Sequence, residues 1–147
     1  MRRSCFQKTD KTSLTSGRST LGKKRKIKVL VVDSEEEFAS TLTERLRLCH
    51  IEVESVFSGE EALAIIPRFM PDVMILDLQM PGINSLNTLS QVKTFDSTIE
   101  VIILTKHGSV DAGITGMELG AFDYIIKPVD LVLLIEKITA AYEKKGK

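Results

Sequence analysis

The chain has 147 residues, 43% of them hydrophobic and 27% charged, the composition of one globular domain with a single core. Apolar runs such as Val101 to Leu104 fall far short of the roughly 20 residues that span a bilayer, and no apolar stretch near the start could form a signal-peptide core, so membrane spanning and classical secretion are not expected. The zero net charge hides a division: residues 1–26 hold nine Lys/Arg against one acid, Asp10, and carry +8, which leaves −8 on residues 27–147.

The first 26 residues, rich in Ser, Thr and Lys, cannot bury enough apolar surface to offset the entropy of ordering, and they read as a disordered basic tail. Such a tail suits a nucleic-acid or anionic-surface arm, a transit peptide, or a plain solvated leader. Cys5 lies within it as an exposed thiol, and Cys49 beside a strand as a packing residue. Two unpatterned cysteines form neither a disulfide framework nor a zinc site, and fit a cytoplasmic protein.

From Ile27 to the end, short β-branched apolar runs alternate with stretches of helical spacing, the pattern of a parallel sheet with crossover helices. The first strand is expected at Ile27 to Val32. A helix follows from Glu35, capped by Ser34 with Glu37 completing a capping box, and its inner face is Phe38, Leu42 and Leu46. A strand at Ile51 to Val56 leads to a second capping box, Ser58 and Glu61, on a helix carrying Ala62, Leu63 and Ile66 and ending near Pro67. Strands at Val73 to Asp77, Val101 to Thr105 and Phe122 to Ile126 complete five. Between them fall helices at Ser85 to Lys93 and Ser109 to Leu119, and a last one at Asp130 to Lys144 buries Leu131, Leu134, Ile135, Ile138 and Tyr142. The fourth helix reads as the weakest, since Gly113 and Gly116 each cost about 1 kcal/mol relative to alanine. Strict alternation gives a three-layer, doubly wound α/β domain with helices on both faces.

Function in such a sheet belongs at the carboxyl ends of the strands. Asp33 follows the first strand, Asp77 ends the third, Thr105 ends the fourth and Lys127 follows the fifth, so residues far apart in sequence meet at one rim. Burial and the neighbouring acid Asp33 should raise the pKa of Asp77. A cation must compensate: Lys127 supplies one charge, and a hard divalent ion held by carboxylate oxygens could supply more.

Four segments together resemble the receiver domains of two-component response regulators over residues 27 to 145: Lys28-Val-Leu-Val-Val-Asp33, Asp72-Val-Met-Ile-Leu-Asp77-Leu-Gln-Met80-Pro81-Gly82, Val101-Ile-Ile-Leu-Thr105 and Gly120-Ala-Phe-Asp-Tyr124-Ile-Ile-Lys127-Pro128. The resemblance implies a (βα)5 flavodoxin-like fold; the strand order 2-1-3-4-5 comes with it rather than from the patterning. It also implies that Asp77 accepts a phosphoryl group from a sensor histidine kinase, a phosphotransfer protein or a small acyl phosphate. Asp33, Asp77 and the Gln79 backbone carbonyl would hold Mg2+. Lys127, ahead of a cis Pro128, would pair with the phosphoryl oxygens, and Thr105 and Tyr124 would form the switch. Gln79 and His107 fall where receivers place residues that modulate phosphoryl hydrolysis. A signalling module rather than an enzyme is implied, a monomer or weak dimer. Nothing follows the last helix, so no DNA-binding domain is expected in this chain, and a separate downstream protein would receive the signal.

Two departures stand out. Receivers usually carry two consecutive acids after the first strand, whereas Ser34 follows Asp33 and Glu35 supplies a carboxylate one position late, aimed elsewhere as the helix starts. A hydroxyl in place of a carboxylate should weaken Mg2+ binding. Ser85 stands where receivers often have glycine, for which only a local change of loop geometry is expected. Two other functions compete: a pseudo-receiver that keeps the fold without phosphorylation, and a nucleotide- or flavin-binding enzyme. Against the last, Asp33-Ser-Glu-Glu-Glu37 offers no glycines to cradle phosphate and repels it with acids.

Overall fold

The computed structural model describes residues 26–79, 84–106 and 110–145. The β-branched runs become strands and the amphipathic stretches helices, in the order β1 (Lys28–Val32), α1 (Glu36–Arg47), β2 (Glu52–Val56), α2 (Gly59–Phe69), β3 (Val73–Asp77), α3 (Ser85–Phe95), β4 (Glu100–Thr105), α4 (Val110–Glu118), β5 (Asp123–Ile126) and α5 (Leu131–Lys145). All pairings are parallel, in the order β2-β1-β3-β4-β5. The three-layer α/β architecture is therefore as expected.

Alternation along each strand sends side chains to two cores. Val29, Val31, Val73, Ile75, Ile102 and Leu104 face α1 and α5, packing on Leu42, Leu46, Leu134 and Ile138. Leu30, Val32, Met74, Leu76, Val101 and Ile103 face α2 and α3, packing on Ala62, Ile66, Leu89 and Val92. Every residue of β3 and β4 is buried, which is why these strands read as unbroken apolar runs rather than alternating ones. Tyr142 is only half-buried, and Ala141 is the fully buried residue of that turn.

Three local expectations are corrected. Helix α1 begins at Glu36 with Glu35 at its N-cap and no side-chain cap, so Ser34 is not the cap. The Asp33 carboxylate instead accepts from the Glu35 backbone N–H at 2.9 Å, which spends the turn's local hydrogen bond on the acid. Helix α2 does not stop at Pro67 but continues to Phe69, ended by Met70 in the left-handed conformation at φ 53°. Proline there removes the N–H that would donate to the Leu63 carbonyl, and the helix runs only two residues beyond it. The Ser58–Glu61 box forms, with Ser58 Oγ accepting from Glu61 N at 3.1 Å and Glu61 Oε1 accepting from Phe57 N at 2.8 Å. Cys49 is buried at the end of α1 and is not a free thiol, a correction to its reading as packing alone. Cys5 and the rest of the basic tail before Lys26 lie outside the described residues.

Gly116 has a packing role that propensity alone does not show. A methyl group built on it would lie 2.1 Å from Ile103 Cδ1, so its hydrogen lets α4 approach β4. Gly116→Ala is expected to destabilise by about 1 kcal/mol, the overpacking outweighing a propensity gain of similar size. Adding Ile103→Val removes the obstructing Cδ1 and should return stability near the parent; urea unfolding of both variants checks this, and additive losses would refute the close contact.

Candidate functional site at the carboxyl edge of the sheet

The strand register brings the four candidate residues together. The Asp33 backbone N–H donates to Val56 O at 3.2 Å, which fixes it just past β1. Asp77 pairs with Leu104 in the ladder, and the Lys127 backbone N–H donates to Thr105 O at 2.8 Å. The Lys127–Pro128 bond is cis, as the resemblance implied. Asp33, Asp77 and Thr105 are 0%, 1% and 1% exposed, far below what unpaired acids tolerate.

Lys127 closes the cluster. Its Nζ lies 3.1 Å from Asp33 Oδ2, 3.4 Å from Glu35 Oε1 and 3.6 Å from Asp77 Oδ1. The ammonium also stands 4.6 Å from the centroid of the Phe38 ring, a cation–π contact from the first turn of α1. Three carboxylates thus face one ammonium, an excess of two negative charges. Burial pushes the Asp77 carboxyl above its ordinary range; the Gln79 N–H opposes this, Asp33 reinforces it and Lys127 opposes it again. For Lys127, burial pulls the pKa down, but the hydrogen bond to Asp33 and the charges of Asp77 and Asp33 outweigh it and hold the ammonium above its usual value. Both directions follow from putting two anions and a cation in one small desolvated space.

The other expected residues are placed as follows. Thr105 Oγ1 donates to Lys106 O at 3.3 Å, beside the rim. Gln79 donates its backbone N–H to Asp77 Oδ1 at 3.2 Å and exposes its side chain. Tyr124 is half-buried against the α2–α3 core. His107, Met80, Pro81 and Gly82 lie outside the described residues.

Three contributions were missed in the sequence. Glu35 is not aimed elsewhere but reaches Lys127. Phe38, expected as an inner-face residue, also supports the ammonium. Ser85 does more than alter a loop: its buried hydroxyl donates to Asp77 O at 2.7 Å and ties the start of α3 to the end of β3. A side-chain donor at a family glycine position was the available signal. Among the described residues no three acidic, His or Cys side chains already surround one point as metal ligands.

Comparison with known proteins decides the family, because the response regulator receiver domain model matches residues 29–139. The chain belongs to the receiver family. This receiver is 33% identical over 119 residues to the transcriptional regulatory protein PrrA of Mycobacterium leprae, covering 81% of this chain and 51% of that protein. It is 38% identical over 122 residues to the probable transcriptional regulator ycf27 of Guillardia theta, covering 83% and 48%. Among solved structures it is similar to a receiver domain protein from Clostridium thermocellum, with 34% identity, TM-score 0.78 and coverage of 82% and 97%. It is likewise similar to a response regulator from Chloroflexus aurantiacus, with 32% identity, TM-score 0.76 and coverage of 81% and 99%. The chain spans about half the length of these curated relatives. Among the described residues no helix is long and apolar enough to cross a membrane.

Proposed function

We propose that this receiver is a phosphoacceptor switch in a two-component phosphorelay, modified on Asp77. A carboxylate oxygen of Asp77 attacks phosphorus; the new O–P bond replaces the P–N bond of a phosphohistidine on a kinase or phosphotransfer protein, or the P–O bond of an acyl phosphate, and the bonding pair leaves with the donor. The observation that carries this reading is the Lys127 ammonium 3.6 Å from the buried Asp77 carboxylate, where it can meet the charge of an incoming phosphoryl group. Asp77's raised pKa leaves it less ionised than an exposed acid, and the Gln79 N–H and Lys127 favour the anion that attacks.

The donor set fits Mg2+ by charge: Asp33, Asp77 and the Gln79 carbonyl are hard oxygens, and the cluster carries the negative excess described above. Bound there, Mg2+ would neutralise the repulsion between acceptor and phosphoryl oxygens. Ser34 in place of a second acid should make that binding weaker than in a two-acid receiver. The Thr105 hydroxyl, at the end of β4, would donate to the phosphoryl group, and Tyr124 would turn with its loop to alter the face formed by α4, β5 and α5, which a downstream partner reads.

A second reading, the pseudo-receiver, is favoured by one observation: Ser34, and not a second acid, follows Asp33 at the end of β1. Incubation with acetyl phosphate and Mg2+, read by intact mass, separates the two. One phosphoryl group should appear on the wild type and none on Asp77→Asn; an unmodified wild type would favour the pseudo-receiver.

A further inference from the structure

Glu35 is the one acid of the cluster that is open to water. Its side chain is 65% exposed, against 0% for Asp33 and 2% for Asp77. Its backbone is nonetheless fixed, because the Glu35 N–H donates to Asp33 Oδ1 at 2.9 Å and the residue caps α1 in an extended conformation. From that anchor its carboxylate reaches across to Lys127 Nζ at 3.4 Å, on a residue 92 positions away. The ammonium therefore makes three anion contacts, two to buried acids and one to an acid at the solvent side. Phosphoryl oxygens on Asp77 would come within reach of Lys127, whose Nζ lies 3.6 Å from Asp77 Oδ1. They would meet Glu35 there.

We infer that Glu35 is an internal competitor for Lys127: its carboxylate takes the ammonium's outward contact in the unmodified protein and is displaced when a phosphoryl group arrives. This rests on the proposed modification of Asp77 and adds a restraint to it. Two physical points support displacement rather than permanence. An ion pair with one largely exposed partner is weak, so it can be exchanged for the denser charge of a phosphoryl group. The like charge of Glu35 also opposes a phosphoryl group directly, so the side chain must swing out, which its exposure permits. The one-residue offset of this acid, from position 34 to position 35, thus converts a missing metal carboxylate into a third, solvent-exposed anion on the same ammonium.

The test is beryllofluoride binding at saturating Mg2+, read by NMR on wild type, Glu35→Gln and Glu36→Gln. Glu36 is exposed on the first turn of α1, so its variant removes the same charge without touching Lys127. Glu35→Gln is expected to bind about three-fold tighter than wild type, the fold-change matching a weak exposed ion pair, with Glu36→Gln unchanged. The Lys127 ammonium 15N signal should shift in Glu35→Gln alone. Equal affinities for the two variants, weaker binding by Glu35→Gln, or a Lys127 signal that does not move would each overturn the inference while leaving Asp77 as phosphoacceptor. If neither wild type nor any variant takes up beryllofluoride, the phosphoacceptor reading itself fails and the competition falls with it.

Discussion

Lys127→Met is expected to destabilise the protein by about 3 kcal/mol at neutral pH in the presence of a chelator. The side chain it removes is the cation shared by two acids that have almost no access to water, and taking away one partner of a buried pair leaves the other charge uncompensated, typically a loss of about 3–5 kcal/mol. The lower end applies because Lys127 is itself 15% exposed and Glu35 is solvated. The deficit should shrink on acidification, as the carboxylates bind protons and no longer need a counter-charge. Adding Asp77→Asn should recover part of it for the same reason. Excess Mg2+ should also recover part if the site accepts a divalent ion. Urea unfolding with and without chelator measures all of these. A variant as stable as its parent would mean that the ammonium does not hold the acids in place.

That dependence explains how much could be read from the sequence. The fold was legible because burial on both faces forces β3 and β4 to be continuously apolar and helices alternate strictly with strands; the strand order came with the family resemblance. Asp33, Asp77, Thr105 and Lys127 were legible for the same reason: register places them. What failed was local. Ser34 and Glu37 satisfied the capping-box pattern, yet the Asp33 carboxylate accepts from the Glu35 N–H and the helix starts one residue later with Glu35 at its N-cap; pattern rules score neighbours without knowing that the preceding acid is buried and seeking donors. Glu35 was misjudged because its direction depends on Lys127, 92 residues on. Pro67 was read as a stop, but α2 runs two residues past it before Met70 turns left-handed, so the proline removes one donor without itself ending the helix. Gly116 was counted against its helix because propensity does not register a strand packed within reach of a missing methyl.

Asp77→Asn should stabilise the protein at neutral pH, although it removes the proposed phosphoacceptor. The folded-state pKa of Asp77 is raised above 3.8, first by burial, so folding favours the protonated form. A group of this kind contributes its full stability below 3.8 and loses it as the pH climbs through the interval up to the raised folded value. Asparagine has the shape of the protonated acid and no charge to desolvate, so the variant escapes that loss. The difference between the two proteins should therefore be near zero at pH 3, open as the pH passes the ordinary carboxylate value, and level off once Asp77 is ionised in both states. Three carboxylates share the one ammonium, so removing one of them leaves no unpaired buried charge. Lys127 works against the gain, since it loses one of its anions, but Asp33 and Glu35 remain on it at 3.1 and 3.4 Å, and the net direction of the Asp77 shift shows that burial outweighs the attraction. Chelator must be present, because a divalent ion would bind the wild-type carboxylate and hide the cost. Urea unfolding across pH 3 to 8 gives the curve, and a variant less stable than its parent at pH 7 would show that Lys127 holds Asp77 more strongly than burial penalises it. A receiver that is steadier without Asp77 carries that carboxylate at a cost in stability, the trade between stability and activity that the proposed reaction would require.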